Sequence, residues 1–307
     1  MAYKLINKTD AIKTEVLICL LYGDPGIGKT SLAFTTTQPL LLDFDGGVQR
    51  ACFRQTVLRV NSWVDVKAFQ DSAEYKEMDP KTLIIDTAGG MLDNYVADYV
   101  KNEDPKNKRR GGELSLQGYG AMKDVFSQFK SWAKMQHVNL IFISHTTTME
   151  EGDNTKFIPK VTGGSYDILR QECDLIGYMT SNKNRRIIDF NPTDAHIGKN
   201  CAELPVVEIP DYRTVEFVTF FQDLIDKTLA KMNALDEAQA EAVKKIQGFD
   251  ASLAKIDDLK GINKQIPIIG AEPDRTIQLQ MFALLKKRAI TVGLEYNSTD
   301  KVFVIKK

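Results

Sequence analysis

The stretch GDPGIGKT, residues 23–30, constrains the fold of this 307-residue chain more than any other feature. Its spacing, G-x-x-x-x-G-K-T, is that of a loop whose glycines let backbone N–H groups point inward around a phosphate. In such a loop Lys29 reaches the β- and γ-phosphates, and the Thr30 hydroxyl coordinates Mg²⁺. An apolar run precedes the loop and a helical pattern follows it, which argues against a glycine-rich turn with a surface lysine. The residues predicted to bind the nucleotide are Gly23, Asp24, Pro25, Gly26, Ile27, Gly28, Lys29, Thr30 and Ser31.

Composition and charge are those of an ordinary soluble globular protein, with 43% hydrophobic and 26% charged residues. The formal net charge is −1, so a nucleic acid would have to meet a local basic patch rather than the whole surface. The four cysteines form no C-x-x-C pair, which argues against a zinc site or a disulfide framework and fits a reducing cytosol. The apolar run at 16–22 is too short to span a bilayer and lacks signal-peptide flanks. We therefore expect a cytoplasmic protein with no membrane partner.

Strand-like and helical patterns alternate over the first two hundred residues, which predicts βαβ units in an α/β fold with a mainly parallel sheet flanked by helices. Strands are predicted at 15–23, 39–45, 55–60, 82–88 and 138–145, helices from Lys29, at 62–75 with Ser62 as N-cap, and at 118–137, and a β-hairpin at 175–194. Further on, a helix is predicted at 214–249, a loop at 261–274, a helix at 276–294 and a strand at 301–307. We expect a core over residues 1–228 and an α-rich C-terminal extension over 229–307.

Acidic and polar residues end three of the predicted strands. Asp86 ends TLIID, at the carboxyl end of a buried parallel strand where ligands bind, and could hold Mg²⁺ through water or merely cap the next turn. Asp43 and Asp45 are two residues apart in the predicted strand PLLLDFD and therefore share one face of it, and one of them could activate the attacking water. The alternative is that both only open a turn. His145 ends LIFISH, where a polar side chain can sense the γ-phosphate, although a lone histidine is more often structural.

The ordered set YGDPGIGKTSLAF, PLLLDFDGG, LIIDTAGG, GYGAMKDVFSQFK and LIFISHTTT resembles the RecA-like recombinase and motor ATPases. It resembles more narrowly the phage ATP-binding proteins that consist of a bare RecA-like core, some of which anneal single-stranded DNA. The resemblance covers roughly residues 14–228. It implies a RecA-like P-loop NTPase core that binds ATP and Mg²⁺, with Lys29, Asp45 and His145 as catalytic residues and Thr30 and Asp86 at the metal.

This chain departs from that family at two of these positions. The catalytic acid of recombinases is usually Glu, and Asp45 is one methylene shorter, so the resemblance implies slow hydrolysis. The sensor is typically Gln, and His145 would add pH dependence near its unperturbed pKa of about 6.5.

The resemblance also implies partners. Two polar stretches, residues 101–120 and 146–166, are predicted to be long loops. The resemblance implies that they face single-stranded DNA, and the alternative is that they are only solvated, flexible loops. Their candidate contacts are the cations Lys106, Lys108, Arg109, Arg110, Lys156 and Lys160, and the stacking aromatics Tyr119, Phe157 and Tyr166. A homo-oligomer with nucleotide at subunit interfaces is expected, in which a neighbour supplies a cation. The candidates for that cation are Lys183, Arg185, Arg186 and Lys199.

The sequence thus favours a Mg²⁺-dependent ATPase that converts ATP to ADP and phosphate, binds single-stranded DNA and acts in phage-type recombination or annealing, in a bacterial host cytoplasm. A single-strand-binding protein is a conceivable partner. A P-loop small-molecule kinase, or an ATP-gated scaffold with little hydrolysis, are the alternatives. The Lys-rich segment LLKKRAITVGL, residues 284–294, could contact DNA, another subunit or a partner protein, or be a solvated amphipathic helix.

Overall fold

A computed structural model describes residues 5–151, 154–182 and 185–306 of the chain. The chain divides into two compact units. The first is Thr14–Met232, and the second joins the described residues before Thr14 to those from Asn233 onward. The division falls inside one long helix, four residues beyond the boundary that the sequence predicts. Within the described residues, no helix combines the length and the apolar character needed to cross a bilayer.

The first unit is built on a ten-stranded sheet. Its strands are β1 (Ile18–Gly23), β2 (Pro39–Asp43), β3 (Thr56–Arg59), β4 (Thr82–Asp86), β5 (Asn139–Glu151), β6 (Asn154–Pro159), β7 (Leu175–Asn182), β8 (Arg185–Asp189), β9 (Lys199–Asn200) and β10 (Val207–Ile209). The order is β10-β8-β7-β1-β5-β4-β2-β3, with β6 on β5 and β9 on β7. Strands β1 to β5 and β7 pair in parallel, so the predicted α/β class with a mainly parallel sheet is confirmed.

Both faces of this sheet are buried, which explains why its strands are nearly continuous apolar runs. Alternate residues of β1 point to opposite sides of the sheet. Leu20 and Tyr22 pack in a cluster with Phe126 and Phe142, whereas Leu21 packs on the other side in a second cluster. A strand buried on both faces holds the residues at its carboxyl end in fixed positions.

Helices cover the two faces. They are α1 (Lys29–Ala33), α2 (Trp63–Gln70), α3 (Ala73–Met78), α4 (Ala97–Glu103), which continues a π-helical segment at Gly90–Val96, α5 (Leu116–Met135) and α6 (Gly163–Glu172). Ser62 caps α2 as predicted, accepting from the Asp65 N–H while Asp65 accepts from the Ser62 N–H. The predicted helix at 62–75 nevertheless breaks, because Ser72 caps a new helix by accepting from the Tyr75 N–H (3.1 Å).

Of the two stretches predicted as long loops, the first is a shorter loop than predicted, and the prediction for the second was wrong. In the first, residues 104–115 connect α4 to α5 and include a short turn at Pro105–Asn107. The buried Asn107 amide of that turn donates to the Val100 carbonyl (2.8 Å). In the second, β5 continues beyond His145 to Glu151 and pairs antiparallel with β6. Its β-branched residues pair across the strands, such as Thr147 with Ile158, which favours a hairpin over a loop.

The predicted hairpin at 175–194 is confirmed as the antiparallel pair β7 and β8. Tyr178 lies opposite Asp189 at one end of the pairing, and Asn182 lies opposite Arg185 at the other. Residues 183 and 184 of its turn, and with them the candidate Lys183, lie outside the described residues.

The second unit contains the end of α7 (Phe220–Leu253), then α8 (Leu259–Gly270), α9 (Arg275–Thr291) and a two-stranded hairpin, β11 (Leu294–Asn297) and β12 (Val302–Ile305). The predicted loop at 261–274 was wrong, because Ile262 and Ile269 lie two helical turns apart on one buried face of α8. The unit has its own hydrophobic core, formed by Phe249, Leu253, Ile262, Ile269, Ile277, Met281, Leu285, Ala289, Leu294 and Phe303.

Candidate functional site

The predicted phosphate loop lies between β1 and α1, at the carboxyl edge of the parallel sheet. Gly26 and Gly28 have φ angles of +80° and +99°, in the left-handed region that favours glycine. Gly23 ends β1, and a Cβ there would lie 2.2 Å from the Met179 carbonyl oxygen on β7. Glycine is therefore required at Gly23 by a close backbone approach and at the other two positions by the fold of the loop.

Lys29 is buried at the base of this loop, with 5% of its surface exposed. Its Nζ donates to the carbonyl oxygens of Gly23 (2.8 Å) and Asp24 (2.9 Å). Burial lowers the pKa of Lys29 to about 8, and the nearby carboxylates of Asp86 and Asp24 oppose this only in part. An anion in the loop would offset the cost of burying this ammonium group.

Thr30 and Asp86 form a pair beside Lys29. The Thr30 hydroxyl donates to Asp86 Oδ2 at 2.7 Å, and Asp86 ends β4 with 7% of its surface exposed. Burial raises the pKa of Asp86 to about 6, against the opposite effect of the Thr30 hydrogen bond. Two adjacent hard oxygen ligands suit Mg²⁺, which keeps its remaining positions for water and phosphate oxygens. The described residues contain no cluster of three or more His, Cys, Asp or Glu fit for a metal.

Asp43 and Asp45 do not occupy equivalent positions, contrary to the shared-face prediction. Strand β2 ends at Asp43, so the two-residue strand period does not reach Asp45. Asp43 is buried and accepts from the Gly46 N–H (2.8 Å), whereas Asp45 is exposed and accepts from the Gly47 N–H (2.9 Å). Of these two carboxylates, only Asp45 lines the cavity described next. Its catalytic role remains a prediction.

His145 lies in the middle of β5, not at the strand end that the sequence predicts. It is directly opposite Gly23 in the β1–β5 register, and it is half-buried. Its Nδ1 is buried and has no hydrogen-bond partner among the described residues. Burial, and next the positive charge of Lys29, lower the pKa of His145, so the imidazole is neutral at neutral pH and its pH dependence moves to lower pH than predicted.

One cavity of about 340 Å³ is lined by five of the predicted site residues, Lys29, Thr30, Asp45, Asp86 and His145. Its walls include Pro25, Gly26, Gly28, Lys29, Thr30, Ser31, Asp45, Arg50, Asp86, His145, Arg186 and Tyr212. A neighbouring cleft of about 540 Å³ shares Pro25, Gly26, Arg186 and Tyr212 with it. Together they fall in the size range of ligand sites and extend from the phosphate loop toward an aromatic ring.

The family model of the AAA domain matches residues 16–202. This range includes the whole phosphate loop and the acids that end β2 and β4, Asp43 and Asp86. The chain belongs to the AAA domain family. The comparison with curated proteins gives no match. The family is one of P-loop ATPases, so the geometry of Lys29, Thr30 and Asp86 belongs to a nucleotide-binding ATPase domain. The narrower resemblance to phage proteins remains a prediction.

Arg186 has a position in this AAA domain that the sequence did not indicate. The sequence offered it as one of four candidates for a cation supplied by a neighbouring subunit. In the structure its Nη1 lies against Gly28 of its own chain, 2.8 Å from the position that a Cβ on that glycine would occupy. Its Nη2 donates to the Pro210 carbonyl (3.1 Å), and its guanidinium lies 5.7 Å from the centre of the Phe217 ring. The guanidinium is thus held at the phosphate loop within one chain.

The other described candidates for that cation lie elsewhere. Arg185 pairs with Glu208 (3.6 Å), and Lys199 donates to the carbonyl oxygens of Arg170 and Gln171. Neither of them lines the cavity.

Arg50 and Tyr212 are further cavity residues that sequence reasoning missed. Both lie in irregular segments, Arg50 in a short turn and Tyr212 after β10, without a motif to mark them. Only the folded chain brings them to the phosphate loop.

The predicted DNA-contacting residues of the AAA domain fall into two groups. Lys106, Lys108, Arg109, Arg110 and Lys160 are exposed. The aromatic candidates differ: Phe157 stacks on Tyr178, with centroids 5.4 Å apart, whereas Tyr119 lies beside Gly164 and is 38% exposed. Tyr166 is half-buried. Base stacking by Phe157 would require it to leave Tyr178, so the basic residues are the better candidates.

Proposed function

We propose that this AAA domain binds ATP with Mg²⁺ in the cavity at the carboxyl end of β1 and hydrolyses it to ADP and phosphate. The observation that carries the proposal is the pair of Thr30 and Asp86, 2.7 Å apart, next to the buried ammonium of Lys29. A phosphate-binding cation and two Mg²⁺ ligands in one cavity are the parts that P-loop phosphoryl transfer needs.

Each side chain has a distinct task in this proposal. Lys29 exchanges the loop carbonyls for the β- and γ-phosphate oxygens and stabilises the charge that develops as the terminal bond breaks. Thr30 and Asp86 would hold Mg²⁺, which neutralises phosphate charge. Asp45, exposed at the cavity wall, orients the attacking water and accepts its proton. His145, neutral and with an unpaired Nδ1, contacts the γ-phosphate or the water beside it.

The test is steady-state phosphate release from ATP together with nucleotide binding. Lys29→Ala should abolish turnover, and Asp45→Asn should keep binding but lose turnover by at least about a hundredfold, the usual range for general base catalysis. Lys76→Ala, an exposed lysine of α3, is the matched control and should behave as wild type. Unchanged turnover in Lys29→Ala would contradict the site, and loss of binding in Asp45→Asn would make Asp45 structural or a metal ligand.

We further propose that single-stranded DNA stimulates this hydrolysis, as in recombination or annealing. What supports this is the exposed basic turn at 106–110 and the continuity of β5, which carries His145 and then pairs with β6 as a hairpin. A DNA strand bound on the hairpin would act on the cavity through β5, and the exposed cations of the turn, Lys106, Lys108, Arg109 and Arg110, would hold its phosphates.

The experiment compares phosphate release with and without single-stranded DNA, using Lys29→Ala as the blank. The double variant Lys108→Glu with Arg110→Glu should lose the stimulation and keep the basal rate. Turnover that ignores DNA would instead favour a kinase or an ATP-gated scaffold, and a search for a phosphoryl acceptor would separate those two. Sedimentation with and without ATP tests the proposed homo-oligomer.

A further inference from the structure

The second unit contains two helices joined by a short turn and followed by a hairpin. Helix α8 ends at Gly270, residues 271–274 form the turn, and α9 begins at Arg275. Helix α8 packs on α9 and β12, and α9 packs on β11. Two packed helices joined by a turn of this length occur in helix-turn-helix motifs and in αα-hairpins. Here the glycine, Gly270, is the last residue of α8, and the four-residue turn itself contains none.

Local hydrogen bonds fix the start of the second helix. The Asp274 carboxylate caps α9 by accepting from the N–H groups of Thr276 (2.7 Å) and Ile277 (3.1 Å). At the end of α8, the Ala271 N–H donates to the carbonyl oxygen of Pro267 (3.0 Å). The first turn of α9 is therefore presented in a defined position, as direct readout of a ligand requires.

Helix α9 has one buried face and one exposed face. Ile277, Met281, Leu285 and Ala289 recur every four residues and enter the core of this unit. The exposed residues are Arg275, Thr276, Leu279, Gln280, Ala283, Lys286, Lys287, Ile290 and Thr291. The exposed face thus offers hydrogen-bonding side chains at its beginning and cations near its end.

Charge on the two helices is of one sign. They carry six cations, Lys260, Lys264, Arg275, Lys286, Lys287 and Arg288, and no acidic residue. Arg288 is used internally, since its guanidinium donates to the carbonyl oxygens of Ala254 and Ile256. Lys260, Lys264 and Lys287 are exposed. The turn between the helices carries two acids, Glu272, which pairs with Lys245 (3.5 Å), and Asp274, which caps α9. The excess of cations therefore lies on the helices themselves, and exposed lysines of this kind bind phosphate backbones.

We propose that this unit binds duplex DNA, with α9 in the major groove. An α-helix fits that groove, and the first residues of the second helix then reach base edges. Thr276 and Gln280 can hydrogen-bond to bases, and Leu279, 55% exposed, can contact a thymine methyl group. Lys264 and Lys287 would contact phosphates. The proposal does not rest on the ATPase site, since neither helix belongs to that unit.

The test measures fluorescence anisotropy of a labelled mixed-sequence duplex of about 20 base pairs, one able to span a major groove, with the full chain and without nucleotide. Lys287→Glu should weaken binding at least about tenfold near 0.1 M salt and lower the salt slope by about 1, as expected for one lost phosphate contact. Lys244→Glu is the matched control, because Lys244 is exposed on α7 in the same unit. It should bind within about twofold of wild type, because it lies off the proposed contact.

Folding and turnover of the variants complete the experiment. Lys287 is exposed, so Lys287→Glu should keep the wild-type melting curve and the wild-type phosphate release. Wild-type duplex affinity in Lys287→Glu, or equal losses in Lys287→Glu and Lys244→Glu, would overturn the proposal. Binding of single strands but not of duplex would also overturn it, and would leave the proposed ATPase site untouched.

Discussion

Replacing Asp86 with asparagine should stabilise the nucleotide-free first unit. The carboxyl group is 7% exposed, and burial raises its pKa from 3.8 to about 6. Each pKa unit corresponds to about 1.4 kcal/mol, so the charged group costs the folded state about 3 kcal/mol above pH 6. The asparagine oxygen can still accept the Thr30 hydroxyl, and we expect Asp86→Asn to gain up to about 3 kcal/mol in free energy of unfolding.

The gain should depend on pH with a defined sign. Between the unfolded pKa of 3.8 and the folded pKa of about 6, the folded wild type holds more protons than the unfolded chain. Wild-type stability therefore falls relative to that of the variant as pH rises through this window. The difference should be near zero below about pH 4, roughly half its final value near pH 5, and constant above about pH 7.

Urea unfolding in EDTA, at about pH 5 and about pH 7.5, measures this difference on either side of the folded pKa. Both tryptophans of the chain, Trp63 and Trp132, lie in the first unit, so their fluorescence reports its unfolding alone. Asp71→Asn, at an exposed helix end, is the control. An equal difference at both pH values, or a destabilised Asp86→Asn, would refute the argument that burial of the carboxylate sets its pKa.

Three further predictions concern the walls of the site and its surroundings. Arg186→Ala should weaken ATP binding about tenfold in calorimetry, the loss of one charge-assisted contact, whereas Arg185→Ala should not; equal affinities would contradict the intramolecular assignment. Gly23→Ala should lower the free energy of unfolding by more than about 3 kcal/mol, since its Cβ would meet the Met179 carbonyl at 2.2 Å, and a wild-type urea midpoint would be inconsistent with that clash. Gly120→Ala, exposed in α5 with open space around its Cβ, should raise that free energy by about 0.5–1 kcal/mol in the same assay.

The sheet and the phosphate loop could be predicted because their signals are local. A strand buried on both faces must be an apolar run, and the glycine spacing of the loop is needed for its backbone conformation. The extension of β5 beyond His145 was missed because its residues are polar threonines and glutamates. They form a hairpin because their partner strand, β6, is held in place by another contact, the stacking of Phe157 of β6 on Tyr178 of β7. That contact depends on strand order, which no local pattern contains.

Arg186 shows the same limit within the site itself. Its sequence neighbourhood, RRIID, identifies a strand but not which of the two arginines faces the nucleotide. Strand β7 pairs with β1 on one side and with β8 on the other, so β8 comes close to the phosphate loop. Successive residues of β8 then point to opposite faces, which places Arg186 at the loop and Arg185 on Glu208.

The cavity and the β5–β6 hairpin are joined by two separate connections. One is covalent, since β5 runs without a break from the buried sheet through His145 to the hairpin arm. The other is Tyr22, the residue before Gly23, whose buried hydroxyl contacts the carbonyl oxygens of Phe157 on β6 (3.2 Å) and Ile197 (2.7 Å). Both hairpin strands are thus attached beside the phosphate loop, so in the proposed sensor role of His145 a displacement of this residue would act on both strands. The proposed stimulation of hydrolysis by DNA on the hairpin would use these two connections.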